Sequence, residues 1–136
     1  MGRNGVAVGL LLLLWIACAG AAPAKRGALT GSWGGLHVGL EITAEGARLE
    51  YDCAHGTIDG PIVPDRAGRF AAVGTHTAEH AGPIREGEPD AGRPARYRGK
   101  VAGKTLTLTV TLTDSGEEVG TFTLTRDATP RITRCL

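Results

Sequence analysis

Four histidines, His37, His55, His76 and His80, are the side chains in this sequence best suited to chemistry. Neutral imidazoles ligate zinc or copper, and three of them with a carboxylate form an ordinary donor set. Asp52 and Glu79 are the carboxylates placed to help. His76 and His80 are four apart, a spacing that suits two ligands on a helix face. Here the residues around them read as loop. A metal site therefore requires His37 and His55 to meet His76 or His80 in space. The competing reading is a scatter of polar residues at strand ends and in a solvated loop. Hydrolysis would need a nucleophile or acid held by a second group. Asp52, His55 and Asp59 are near one another, but no nucleophile elbow, zinc-protease helix or diagnostic carboxylate pair accompanies them. No catalytic residue is assigned.

The three cysteines divide by position. Arg3, the apolar run Val6 to Ile16 and the small residues Ala17 to Ala22 have the order of a cleaved secretion signal. The run is about eleven residues, short of the roughly 18 to 20 that span a bilayer. Cleavage after Ala21 or Ala22 would leave a mature chain beginning near Pro23. Cys18 also fits a lipoprotein signal, in which it becomes the acylated first residue and a lipid anchor. Ala17 suits that arrangement, whereas Trp15 stands where an aliphatic residue is expected. In either case Cys53 and Cys135 remain, in a compartment that permits a disulfide. The expected organisation is a signal at 1–22 and one domain at 23–136, periplasmic or extracellular.

The elements that would position these residues are strands. Leu36, Val38, Leu40 and Ile42 alternate with polar or small residues, and Ala47, Leu49, Tyr51, Cys53 and His55 repeat the period of two. Ala44-Glu45-Gly46 between them reads as a hairpin turn. Thr57 to Val63 is a strand interrupted by Gly60 and Pro61. Arg69 to Thr75 and Ala95 to Val101 follow. Leu106, Leu108, Val110 and Leu112 form the clearest inward row, opposed by Thr105 to Thr113. Val119 to Thr125 returns after Asp114-Ser115-Gly116, and Arg131 to Leu136 is expected as a last strand. The segment 76–93, rich in Gly, Pro and Glu, reads as an exposed loop. Short turns between about seven or eight strands imply an antiparallel meander, which can close into a small barrel. The fold class is all-β.

Charge narrows the partners. The chain holds 15 Lys+Arg and 14 Asp+Glu, and loss of the leader removes Arg3 alone, so the mature chain is neutral. Nucleic acid and anionic membrane surfaces are not implied. Arg93, Arg96, Arg98 and Lys100 form a one-sided basic row, a solubilising pattern that can also contact an anionic polymer. The outward threonines are favoured strand residues. A small ligand or an envelope partner is the expected binding class. Trp33, His37, Asp52 and His55 are the candidate surface, at the barrel end near the 76–93 loop.

Two resemblances add to this reading. Thr30-Gly31-Ser32-Trp33 resembles the Gly-x-Trp start of lipocalins and avidins, in which the Trp plugs one end of an eight-stranded barrel. In lipocalins a late Arg stacks on that Trp, and the resemblance assigns Arg131 or Arg134 to this part. Trp33-Gly34-Gly35-Leu36-His37, Asp52-Cys53-Ala54-His55-Gly56, Gly74-Thr75-His76, Arg96-Tyr97 and Arg134-Cys135-Leu136 resemble a group of small exported bacterial proteins with no assigned activity. That second resemblance implies export and carries over no catalytic residue.

Overall fold

The computed structural model describes residues 27–79 and 92–135. The expected leader, Cys18, His80 and most of the expected loop lie outside the described residues. Eight strands run in chain order around a closed antiparallel barrel: β1 Gly31–Gly35, β2 Val38–Thr43, β3 Gly46–Tyr51, β4 Ala54–Asp59, β5 Arg69–Ala78, β6 Arg93–Ala102, β7 Thr105–Leu112 and β8 Glu118–Arg126. Each strand pairs with its sequence neighbour, and β1 pairs with β8 to close the ring. The all-β meander, the barrel and the Cys53–Cys135 disulfide are all present. No helix among the described residues is long and apolar enough to cross a membrane.

The interior is packed with side chains. Val38, Leu40 and Ile42 from β2, Leu49 from β3, and Leu106, Leu108 and Val110 from β7 are all buried there, with Trp33, Tyr97 and Leu124. Side chains of this size fill a narrow barrel, as the period-two pattern requires. Gly99 is open toward the interior because the Phe70 ring occupies the place its Cβ would take.

Four expectations about the elements need correction. The alternation begins at Leu36, but Gly31–Gly35 ahead of it is itself a strand, β1. The run Ala47 to His55 is broken by a two-residue turn at Asp52-Cys53, with Cys53 in the left-handed region at φ 55°. A two-residue turn moves the inward parity from odd to even positions, so Tyr51 points in and His55 points out. The expected loop 76–93 starts too early and ends too late. β5 continues through His76 to Ala78, and β6 begins at Arg93. Finally, the expected last strand, Arg131 to Leu136, is no strand of the barrel over its described residues 131–135. Its one ladder contact is an isolated bridge between Arg131 and Leu36, and Leu36 itself is 59% exposed rather than inward.

Residues 127–135 instead form a strap on the outer wall. The Asp127 N–H donates to the Ser32 carbonyl at 2.8 Å, and the His37 N–H to Arg131 at 2.8 Å. Gly34 and Gly39 supply the seat. A Cβ on Gly34 would sit on the Ala128 carbonyl, and one on Gly39 would come within 2.8 Å of Pro130 Cγ. The strap runs to Cys135, joined to Cys53 with Cα atoms 5.0 Å apart at a sequence separation of 82. In the chain-entropy account a loop of that length contributes on the order of 4 to 5 kcal/mol, mostly by restricting the unfolded chain.

Candidate functional site

A cleft of about 690 Å³ lies on the outside of the barrel, between the β3–β4 wall and the strap. Arg48 and Glu50 project from β3, His55 from β4, and Ile132 and Arg134 from the strap; Glu79 follows β5. Glu50 stands directly opposite His55 in the ladder. The His55 ring is held by Glu79, with Nδ1 and Oε1 2.9 Å apart, and the Glu79 N–H donates to the Cys53 carbonyl at 2.8 Å. The cleft thus carries cations and carboxylates side by side, with apolar side chains such as Pro130 and Ile132 among them.

His37 and Asp52 form a separate pair. His37 occupies the turn between β1 and β2 at φ 67°, and its Nδ1 hydrogen-bonds Asp52 Oδ2. The other Asp52 oxygen accepts the Thr133 N–H at 2.6 Å. A histidine fixed by a carboxylate is half of a general-base arrangement. Here the carboxylate spends its second oxygen on the strap, two residues before Cys135 of the disulfide, so the pair acts as a tether.

His76 has a third fate. It is 8% exposed, facing the interior from β5, with its ring 5.4 Å from that of Tyr51. Its Nδ1 and the Tyr51 hydroxyl are buried without a hydrogen-bond partner among the described residues. Burial lowers the His76 pKa, with His55 and Arg93 adding in the same direction. Burial likewise raises the Tyr51 phenol, helped by Tyr97. Tyr97, whose hydroxyl donates to the Thr75 carbonyl at 2.5 Å, is pushed up to about 12. These groups are neutral at physiological pH.

The expected site residues therefore separate. His55 lines the cleft, His37 and Asp52 tie turn to strap, and His76 is turned inside. Among the described residues no group of three or more His, Cys, Asp or Glu is placed to hold a metal ion; His80 lies outside them. Trp33, expected on the surface, is 1% exposed and contributes no binding area. The arginine over it is Arg126, with its guanidinium carbon 4.6 Å from the ring centroid, in place of Arg131 or Arg134. Arg126 ends β8 beside Trp33 in the β1–β8 register, whereas Arg131 and Arg134 ride on the strap. Sequence reasoning missed Arg48, Glu50, Ile132 and Arg134. Arg48 and Glu50 were visible as outward positions, but only the strap's path turns them into a cleft.

The fold and site define a class: a small closed up-and-down barrel whose C-terminal strap is latched across its outer wall. No family model, curated protein or solved structure matches the chain.

Proposed function

We propose that this is an exported, non-enzymatic binding module whose ligand occupies the outer cleft between β3, β4 and the strap. The observation that carries the reading is the composition of that cleft. Arg48 and Arg134 face Glu50 and Glu79 around Ile132, in a space of about 690 Å³. A few placed charges around an apolar contact suit a small zwitterion with a short apolar portion, such as a dipeptide. The packed interior argues against a ligand carried inside the barrel. The hydrogen bonds of His37 and Asp52 go to turn and strap, which favours binding over acid-base chemistry. Export is supported by the signal-like order of residues 1–22 and by the disulfide, a bond that persists in oxidising compartments.

The test is a thermal-unfolding screen of the oxidised protein with a panel of dipeptides. A ligand at about a hundredfold its Kd adds about 2.7 kcal/mol, enough to raise Tm by several degrees. The expected result is such a shift, lost in the Arg48→Ser/Arg134→Ser double variant. No shift at millimolar concentration, or a shift that survives the double variant, removes the proposal.

A further inference from the structure

The chain is close to neutral overall, with a formal net charge of +1, yet its charges are segregated. Strands β5 to β8 carry Arg69, Arg93, Arg96, Arg98, Lys100 and Arg126 against one acid, Glu118 at the start of β8. Two of these cations are already engaged: Arg93 by Asp114 at 2.8 Å, and Arg126 by Trp33. Arg69, Arg96, Arg98 and Lys100 are exposed and make no ion pair among the described residues.

These four sit on one wall. Arg96, Arg98 and Lys100 occupy alternate positions of β6, so successive charges project on the same side about 6 to 7 Å apart. Arg69 stands beside Lys100 in the β5–β6 ladder. On the other flank Arg98 is registered with Thr109 and Lys100 with Thr107, and those threonines continue to Thr121 and Thr123 of β8. Arg69, Arg98, Lys100, Thr107 and Thr109 rim a shallow depression of about 580 Å³. Asp65 closes one end of it, its Oδ1 already accepting the Ala67 and Arg69 N–H groups at 2.9 Å each.

From this we infer that the β5–β7 wall binds a linear acidic polysaccharide, laid along β6. A row of cations at regular spacing matches a polymer whose acidic groups recur along its length. The neighbouring hydroxyl rows offer donors and acceptors to sugar hydroxyls, which a purely electrostatic patch lacks. Nucleic acid fits less well. Every described Phe, Tyr and Trp side chain is buried or half-buried, so none offers a base an exposed face on this wall. No helix or projecting ribbon is present among the described residues to enter a groove.

The experiment is isothermal titration of the oxidised full chain with a heparin oligosaccharide over a range of salt concentrations. Binding is expected, with affinity falling as salt rises. Arg98→Gln/Lys100→Gln should weaken it at least about tenfold and flatten the salt slope by about two, one for each lost ionic contact. Arg48→Ser/Arg134→Ser, on β3 and the strap and outside the β5–β7 wall, should leave it unchanged. Amide shift mapping on the unmodified protein provides a second reading, with perturbations expected along β5, β6 and β7. Absence of heparin binding, full affinity in the Arg98/Lys100 variant, or perturbations elsewhere overturns the inference. Tighter binding of DNA matched in charge does so as well.

Discussion

Gly34 stands opposite Gly39 across the β1–β2 ladder, and the two leave a bare strip of barrel wall on which the C-terminal strap lies. Both are buried although both point outward. The strap covers them, with Ala128 and Pro130 in the space two side chains would have taken. The disulfide, the Asp52–Thr133 hydrogen bond and this strip hold one short segment at three places. That segment forms one side of the proposed ligand cleft.

A methyl group at Gly34 is therefore expected to lift the strap. Its Cβ would fall within 2.8 Å of both the Ala128 carbonyl carbon and the Pro130 nitrogen, backbone atoms that cannot rotate away. Overpacking of this kind costs about 1 to 3 kcal/mol. Gly34→Ala should lose that much in urea unfolding of the oxidised protein. Gly27→Ala, where a Cβ meets nothing within 4 Å, should stay within about 0.5 kcal/mol of the parent. Equal stability of the two variants would show that the strap yields freely.

The strands that could be read from sequence are those that alternate without interruption. Leu106, Leu108, Val110 and Leu112 announce β7 because one face is buried and the other carries threonine. β1 gave no such signal, since Gly-Ser-Trp-Gly-Gly has a single large side chain and is a strand only because β2 and β8 pair with it. His55 was placed on the wrong face by a hidden turn. Asp52-Cys53 contains neither Gly nor Pro, and the apolar period ran through it unbroken. His76 was read as loop because polar residues follow Gly74, although Phe70, Ala72 and Gly74 share its inward parity. The cleft itself was illegible. It depends on where the strap crosses, which is set by contacts between residues about 80 to 100 positions apart, and no local pattern reports a contact of that range.

Arg126 and Trp33 offer a second test. The guanidinium lies over the indole at 4.6 Å, and its Nη1 donates to the Thr30 carbonyl at 3.2 Å. A cation over an aromatic face is worth about 0.5 to 1 kcal/mol when exposed and about 2 when desolvated. Arg126→Ala should therefore lower stability by about 1 to 2 kcal/mol and alter the fluorescence of Trp33. Arg126→Lys should recover only part of the loss, because an ammonium cannot stack as a planar guanidinium does. Arg131→Ala and Arg134→Ala should leave the fluorescence as it is. A change in emission with either of those two, and none with Arg126→Ala, would put the stacking partner elsewhere.

His76 gives the fold a pH dependence whose sign follows from its burial. In the folded barrel its pKa is depressed below 6.5, first by loss of solvation and then by His55 and Arg93. In the unfolded chain the imidazole returns to about 6.5. Below that pH the unfolded state binds a proton that the folded state refuses, so stability falls as pH drops from about 6.5 toward the folded pKa. The limiting slope for one such group is about 1.4 kcal/mol per pH unit. His76→Leu keeps an apolar side chain against Tyr51 and removes the titrating group. The difference in unfolding free energy between parent and variant should then change in the variant's favour as pH falls from 7 to 5. Subtraction cancels the contributions of His37, His55 and the carboxylates, which both proteins share. Parallel curves across that range would mean that His76 accepts its proton as readily inside the barrel as in water. The inward placement of His76 would then be in error.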